Sequence, residues 1–503
     1  MNKIIVSIIT MVLLTSSLAV SISALGIETK VSEELKPISI SEGTSFDGYT
    51  LLNPWLSKNT YLINNTGKVV HKWNDTYALS LPAYLLENGN LLRTSAIYST
   101  SFKLAAGCGG RVEMVDWNGS LLWTFTYVGD TYCLHNDICP LPNGNILMIV
   151  WEKKTLDEAI AAGCDPNNLG LLAYGGLCID SIIEVEPTPP SGGNIVWEWH
   201  VWDHLIQDFD SSKNNYGVVA DHPELLDINL EGRIFDVTHI NSIDYNETRD
   251  QLLITLRHVS EIWVIDHSTT TEEAAGHTGG NYGKGGDILY RWGNPQAYDA
   301  GTASDKKLFG PHDARWVELG CPGEGHITIF NNGWKRPGGR YSSIEEIVPP
   351  IDNAGDYYLK DGSAYGPEEL IWSYSSDIYS DQMSGAQRLP NGNTFACFGL
   401  QGRLLELNPA KEIVWEYTNP YPVPIPLYNA VFKTQCYPKD YSGIGDLSAN
   451  MNSATSELEN TATSTPAIEP NLNQILQPVV KTFSQQSNQL LHSLIMRQQM
   501  TSR

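Results

Sequence analysis

Residues 111–125 read RVEMVDWNGSLLWTF, and this stretch decides the fold because its outline occurs six times along the chain. A strand-like run leads into a turn, here Asn-Gly, and a second apolar run then ends near a tryptophan. Asn-Gly suits the positive φ angles that a tight hairpin requires. The six closing tryptophans are Trp73, Trp123, Trp197, Trp292, Trp372 and Trp415.

A second hairpin pattern lies between these units. Asn-Gly turns occur within 85–92, 140–150 and 388–398, and looser versions occupy 243–256 and 317–330. Two hairpins in each of six units predict an all-β fold, a six-bladed β-propeller with four-stranded antiparallel blades. A pair of β-sandwiches is the alternative, but it does not explain six tryptophans at equivalent points.

Further segments are assigned by their place in this repeat. The segment GYTLLNP (48–54) is expected to add strands to one blade and so close the ring. Long loops within a compact domain are usually functional, and we expect those of this chain to cover one mouth of the propeller. They occupy the gaps 152–181, 199–235, 268–287 and 333–366.

The chain divides into three regions by composition. Residues 1–24 combine one lysine, an apolar core and small residues near the end, which predicts a signal peptide; a retained membrane anchor is the alternative. Either places the remainder outside the cytoplasm, secreted or at the cell surface. Residues 25–440 form the propeller, and 441–503 are a linker rich in Ser, Thr, Asn and Gln that ends in an imperfect helical stripe.

The 503 residues carry a formal net charge of −25 at a pI of about 4.8. Such a surface repels nucleic-acid backbones, so no nucleic-acid partner is expected, and an anionic substrate needs a local cationic pocket. Eight cysteines fit an oxidising compartment with disulfide bonds, for which we favour the pair Cys164–Cys178. Without a CxxC pair, a thiolate zinc site is not expected. Glycosylation sequons occur at Asn64, Asn74, Asn118 and Asn246.

Three histidines occupy matching positions in three units. His135, His239 and His312 each precede the turn of a second hairpin by a similar number of residues. The innermost strand of a propeller blade lines the central channel, so its entry points surround one mouth. We therefore expect these side chains to converge, and strand alternation to direct His239 and Asn241 to the same face.

Arg257 follows in the apolar run LLITLRHVSEI (252–262). An arginine there needs an anionic partner, either a buried carboxylate or a tetrahedral oxyanion such as sulfate or phosphate. By alternation, His258 is expected to point away from the site. A three-histidine metal centre is a competing interpretation, although Asn241 is a poor fourth ligand and Arg257 disfavours a cation.

The sequence resembles the arylsulfate sulfotransferase family, extracytoplasmic six-bladed propellers that move a sulfuryl group between phenols without a nucleotide donor. The resemblance runs from about residue 45 to 435. The segments that carry it are WDHLIQD (202–208), HPELLDI (222–228), HINSIDYN (239–246), LRHVSEIWVID (256–266), RWGNP (291–295) and GPHDARW (310–316), together with LPNGNT.

The resemblance implies a role for each site residue. His312 matches the histidine that becomes transiently sulfated, and the residues that match those around the transferring group are His135, His239, Asn241 and Arg257. The implied reaction takes a sulfuryl group from an aryl sulfate to a phenolic acceptor in a ping-pong cycle, without a cofactor. One of His135 and His239 acts as the acid–base residue, and we favour His135. Asp313 is expected to face away from His312.

Two other functions compete with this interpretation. An extracellular adhesion or ligand-binding propeller shares the fold, because propellers serve many functions. A metal-dependent hydrolase would use the three histidines as ligands and would lose activity with a chelator. The clustering of His, Asn and Arg at equivalent channel positions favours the transferase.

Overall fold

The computed structural model describes residues 44–444, except 78, 98–106, 108, 168–175, 231–235, 361–362 and 422–428. The signal peptide expected at 1–24 and nearly all of the C-terminal linker and helix expected at 441–503 lie outside these residues. Within the described chain, no helix is both long and apolar enough to cross a bilayer.

The described chain contains six four-stranded antiparallel sheets, which confirms the six-bladed β-propeller. Blade 1 contains β1 (Gly48–Leu52), β2 (Asn59–Asn64) and β3 (Val69–Asn74), and its fourth strand comes from the end of the propeller. Blade 2 contains β4 (Leu79–Leu85), β5 (Leu91–Ala96), β6 (Gly110–Val115) and β7 (Leu121–Thr126). Blade 3 contains β8 (Tyr132–Pro140), β9 (Ile146–Thr155), β10 (Gly176–Pro187) and β11 (Gly193–His200). A small parallel pair follows, β12 (Leu205–Ile206) and β13 (Leu226–Asp227).

The second half of the ring repeats this order. Blade 4 contains β14 (Ile240–Asn246), β15 (Gln251–Leu256), β16 (Glu261–Asp266) and β17 (Tyr290–Trp292). Blade 5 contains β18 (His312–Trp316), β19 (Ile327–Asn331), β20 (Ser342–Ile347) and β21 (Trp372–Ser376). Blade 6 contains β22 (Gly385–Arg388), β23 (Thr394–Phe398), β24 (Arg403–Leu407) and β25 (Ile413–Thr418), and β26 (Gln435–Pro438) returns to blade 1. Short helices are α1 (Leu156–Ala161) and α2 (Thr271–Ala274), with 3-10 turns at Val201–Asp203, Val219–Asp221, Pro295–Tyr298, Gly399–Gln401 and Ser442–Ile444.

Blade 1 closes the ring by combining both ends of the propeller. β26 is its innermost strand and pairs antiparallel with β1, with Tyr49 opposite Tyr437 and Thr50 opposite Cys436. The expectation for GYTLLNP is therefore confirmed. The first strands of neighbouring blades contact one another around the channel, as β4 does with β8, β14 with β18 and β18 with β22.

The six tryptophans lie on the outermost strands and dock each blade onto the next. Each indole Nε1–H donates a hydrogen bond to the turn between the last two strands of the following blade. The acceptors, in the order of the tryptophans along the chain, are Asp116 O, Gly192 O, Thr269 Oγ1, Pro367 O, Pro409 O and Asn65 O, at 2.6–3.2 Å. This ring of contacts is the physical reason for one tryptophan in every unit.

The long gaps do not all open at one mouth, so that expectation is wrong. In a blade whose strands alternate in direction, the start of the first strand and the end of the second lie at the same end. The segment 267–289 joins the third and fourth strands of blade 4, so it leaves from the opposite end. It packs along the edge of β11, where Glu198 N donates to Thr271 Oγ1 and Trp199 Nε1 donates to Gly286 O. Covering an exposed strand edge in this way prevents unwanted pairing.

The expected disulfide Cys164–Cys178 is not formed, because Cys178 is a free thiol. Its side chain packs with Cys133 and Trp151, whereas Cys164 packs in the separate large core beside Leu177. Free thiols are also found at Cys139, Cys321, Cys397 and Cys436. The four asparagines of the sequons are exposed or half-buried, which leaves them accessible.

Candidate active site

The three predicted histidines lie at one mouth of the propeller because each stands at or near the start of a first strand. His135 lies in β8, His239 immediately precedes β14, and His312 begins β18. The register of each of these strands shifts near its histidine, and the backbone at or beside the shift adopts positive φ at Asn136 (56°), His239 (52°) and Asp313 (52°). Such bulges redirect side chains and are frequent beside active sites.

His239 is oriented by a carboxylate three residues before it. Its Nδ1–H donates to Asp236 Oδ2 at 2.5 Å, which leaves the lone pair on Nε2. Among the described residues, Nε2 forms no hydrogen bond. Burial, reinforced by the charge of Arg257, lowers the pKa of His239 to about 3. The neutral imidazole is therefore the stable form near pH 7.

His135 lies deeper, and both of its ring nitrogens are engaged. Nε2–H donates to Asp180 Oδ1 at 2.5 Å, and Nδ1 accepts from Asn136 Nδ2 at 2.9 Å. The ring stacks on Trp151 with centroids 4.0 Å apart, and its centroid lies 6.1 Å from that of His239. Asp180 also accepts from Ile240 N at 2.9 Å, so it holds the chain that carries His239.

His312 is buried and neutral. Its Nδ1–H donates to Asn332 Oδ1 at 2.7 Å, and Nε2 accepts from the backbone N–H of Met383 at 3.1 Å. Burial, reinforced by the charge of Arg257, holds the pKa of His312 well below its ordinary value. Asp313 faces away, as expected, because its carboxylate binds Arg315 and Lys433.

Arg257 and His258 form part of the turn between β15 and β16 instead of the strand predicted for them. Alternation does not apply in a turn, so the expectation that His258 points away is wrong. The ring of His258 lies 4.7 Å from that of His239, and its Nδ1–H donates to Asp236 O at 2.9 Å. Burial lowers the pKa of His258 to about 4.

Arg257 forms no ion pair in the part of the chain that the structure describes, although the carboxylates of Asp381 and Asp236 lie near enough to favour its charged form. Its guanidinium lies 4.9 Å from the ring centroid of Trp334 and donates to Asp381 O at 3.2 Å and to His258 Nε2 at 3.4 Å. Its Nε is buried without a hydrogen-bond partner. The buried carboxylate that the sequence allowed is therefore not in direct contact with Arg257, and the guanidinium remains available to an anion from the channel.

Two residues that the sequence did not single out organise these groups. Asn332 binds His312 through Oδ1 and, through Nδ2, the carbonyls of Ser380 and Met383 at 2.7 and 2.9 Å. The segment 380–383 thus connects Arg257, through Asp381 O, to His312, through Met383 N. Asp236 is the second. It stands in the run DVTH, and a carboxylate three residues before a histidine is a signal that sequence inspection can find.

Asn241 tethers the strand of His312. Its Nδ2 donates to Pro311 O at 2.8 Å, and its Oδ1 is buried without a hydrogen-bond partner. We call His135, His239, His258, His312 and Arg257 the imidazole cluster. Its chemistry is that of neutral lone pairs beside a guanidinium, which suits an anionic, electrophilic substrate.

The described residues contain two groups of three side chains whose ligand atoms lie close enough to hold a metal ion. One is Asp236, His239 and His258, and the other is His204, His277 and Asp287. Neither unites the three histidines predicted from the repeat. In the first group, Arg257 Nη1 lies 3.4 Å from His258 Nε2, and this guanidinium would repel a cation. The imidazole cluster is therefore better suited to an anion than to a metal ion.

The solved structures to which this chain is similar are distant in sequence. A protein of unknown function from Bacteroides caccae is 11% identical, with a TM-score of 0.41, over 78% of this chain and 98% of that one. A putative 6-phosphogluconolactonase from Bacteroides fragilis is 11% identical, with a TM-score of 0.38, over 78% and 99%. No curated protein sequence gives a significant match.

A family model gives the informative comparison. The model described as Arylsulfotransferase (ASST) matches residues 41–421, most of the chain and every propeller strand except β26. The matched range contains every residue of the imidazole cluster. This chain therefore belongs to the arylsulfotransferase family.

Proposed function

We propose that the protein transfers a sulfuryl group from an aryl sulfate to a phenolic acceptor by a ping-pong mechanism with a sulfohistidine at His312. The observation that carries the proposal is the imidazole cluster: neutral imidazoles held beside Arg257, a half-buried cation whose hydrogen-bond and ring contacts are all with uncharged groups. A sulfate ester supplies the missing anion, and its sulfur is an electrophile for an imidazole lone pair.

In the first half-reaction, Nε2 of His312 attacks sulfur, the N–S bond forms and the bond from sulfur to the phenolic oxygen breaks. The lone pair of Nε2 accepts a hydrogen bond from Met383 N–H, so this bond must open as the N–S bond forms. The released N–H can then donate to a sulfuryl oxygen, beside Arg257. Asn332 keeps the proton on Nδ1, which directs the attack to Nε2.

The hydrogen bonds favour His239 over His135 as the acid–base residue. Both nitrogens of His135 have partners, whereas Nε2 of His239 has none among the described residues. A bound sulfate ester offsets the charge of Arg257 and so favours protonation of His239. His239 then gives its proton to the departing phenolate, and in the second half-reaction it accepts the proton of the acceptor phenol while the sulfuryl group moves to that oxygen.

Intact-mass measurement after brief mixing with 4-nitrophenyl sulfate, without an acceptor, tests the nucleophile. We expect a gain of one sulfuryl group that maps to His312, is absent in His312→Ala and is released by added phenol. An adduct on His239 would contradict the assignment. No adduct and no nitrophenol release would instead support the alternative function, a ligand-binding propeller.

The dependence of the rate on the leaving group tests the acid. A general acid matters most for a poor leaving group, so His239→Ala should lower kcat/KM for phenyl sulfate by about 10²- to 10⁴-fold and for 4-nitrophenyl sulfate much less. His135→Gln is the comparison variant, and we expect it to affect both donors equally. The reverse pattern would return the acid–base role to His135.

We further propose that the protein acts outside the cytoplasm, on the basis of the sequence of residues 1–24. Expression with and without this segment, followed by cell fractionation, tests the proposal. Cytoplasmic retention of the full chain would contradict it.

A further inference from the structure

A second group of imidazoles lies outside the imidazole cluster, where the chain between blades 3 and 4 meets the long segment between β16 and β17. His204 follows the 3-10 turn Val201–Asp203, and both His277 and Asp287 belong to the segment 267–289. Nδ1 of His204 lies 2.9 Å from Asp287 Oδ1, and Nδ1 of His277 lies 2.7 Å from the same oxygen. Two imidazole nitrogens thus converge on one carboxylate oxygen.

The tautomer of His204 is fixed by its other nitrogen. Nε2 lies 2.8 Å from the carbonyl oxygen of Ala274, which can only accept, so Nε2 carries a proton. In a neutral ring, Nδ1 then presents a lone pair to Asp287 Oδ1, and two lone pairs at this distance repel unless a cation lies beside them. A ring N–H that donates to a backbone carbonyl is also the usual arrangement behind a metal-bound histidine.

The surrounding chain holds this geometry in place. His204 is 1% exposed and stacks on Trp199 at 5.8 Å, and the indole of Trp199 donates to Gly286 O at 2.8 Å. A Cβ atom at Gly286 would lie 2.0 Å from Ala274 O and 2.6 Å from His204 Nε2, so only glycine permits this approach. The side chain of His277 is 59% exposed, which gives an ion access from solvent.

We propose that His204, His277 and Asp287 bind a zinc ion that fastens the segment 267–289 to the connection between blades 3 and 4. Two imidazole nitrogens and a carboxylate oxygen suit Zn²⁺ and do not suit Mg²⁺ or Ca²⁺, which prefer oxygen ligands. Ligand atoms about 2.0 Å from a tetrahedral ion lie roughly 3.3 Å apart, so binding requires the two contacts to widen by about 0.5 Å. Solvent completes the coordination.

Zinc binding to the full chain tests this inference without any assay of sulfuryl transfer. Protein stripped with a chelator and then desalted is titrated with ZnCl₂ alone at neutral pH, with calorimetry and elemental analysis of the desalted product. We expect one zinc ion per chain, and we expect His277→Ala and Asp287→Asn each to weaken binding by at least about tenfold. His277 is exposed, so its replacement should leave the fold intact.

His222→Ala is the matched control. His222 is also well exposed and pairs with a carboxylate, Glu224, at 2.8 Å, but it belongs to neither three-residue group. Its replacement should leave zinc affinity unchanged. The proposal is overturned if zinc does not bind, which would make the group a protonated His–Asp pair. It is equally overturned if binding survives His277→Ala and is lost in His258→Gln, which would place the ion at Asp236, His239 and His258.

Discussion

At the scale of single residues, the site depends on imidazoles that stay neutral where free histidine would be partly charged. Burial and the nearby charge of Arg257 lower the pKa of His239 to about 3 and hold that of His312 well below its usual range. A neutral ring keeps the lone pair that a nucleophile or base requires. The charge of Arg257, which suits the site to a sulfate ester, therefore also keeps the neighbouring imidazoles neutral and reactive.

Neutral buried histidines make stability depend on pH. The pKa of His258 is about 4 in the folded protein, against about 6.5 in an unfolded chain. Between these values the unfolded state binds a proton that the native state does not, so the free energy of unfolding falls as pH falls from about 6.5 to 4. His258→Gln should flatten this decline, by at most about 1.4 kcal/mol per pH unit, when urea unfolding is compared at pH 7 and pH 5. Unchanged slopes relative to the wild-type protein and to the exposed-site variant His222→Gln would contradict this account.

The sequence was a better guide to which residues come together in the site than to how their side chains are arranged there. His135, His239 and His312 were found because the repeat places them at equivalent points. The neighbours that set their protonation could not be found in the same way: Asn332 is 20 residues from His312, and the Met383 amide is 71. His258 was misplaced because alternation was extended from β15 into the turn that follows it.

At the scale of strands and turns, the repeat was predictable because its signals are local. Asn-Gly turns and strand-ending tryptophans are each defined within a few residues, and the observed hairpins follow them. The course of the segment 267–289 was not predictable, because it is set by contacts with β11, which lies in another blade. Composition identifies such a segment as a loop and says nothing about the edge that it covers.

The docking tryptophans should contribute to stability according to their burial. Trp123 is fully buried and donates to Gly192 O, so Trp123→Phe leaves a cavity and removes this hydrogen bond and should cost about 2–4 kcal/mol. Trp372 is half-buried and makes the equivalent bond to Pro409 O where the bond is open to solvent, so Trp372→Phe should cost less than about 1 kcal/mol. Denaturant unfolding of the two variants measures both values. Equal losses would mean that blade docking does not depend on the buried indole bond.

At the scale of the whole molecule, the centre of the ring is held by a buried lysine. Lys433 precedes β26, the strand that closes the propeller, and its Nζ binds Asp137 Oδ2 at 2.6 Å and Asp313 Oδ1 at 2.8 Å. One ammonium group therefore joins blades 1, 3 and 5. Asp313 directly follows His312, and Asp137 lies two residues after His135, so ring closure and the position of the imidazole cluster share these contacts.

Replacement of Lys433 by methionine should test this coupling between closure and site. Lys433→Met keeps the apolar stem but leaves the buried carboxylate of Asp137 without a cation and that of Asp313 with Arg315 alone, which should cost about 3–5 kcal/mol of unfolding free energy. Lys439→Met is the matched control, because Lys439 pairs with Asp47 at 2.6 Å on the surface, where the side chains are 57% and 68% exposed. Such an exposed pair is screened by solvent and adds little to stability. Under conditions where both variants are folded, Lys433→Met should also slow sulfuryl transfer, since Asp313 fixes the backbone beside His312. Similar unfolding midpoints for the two variants would show that the ring is closed by β1–β26 pairing and tryptophan docking alone. Unchanged sulfuryl transfer in a destabilised Lys433→Met would show that the imidazole cluster does not depend on the contacts that close the ring.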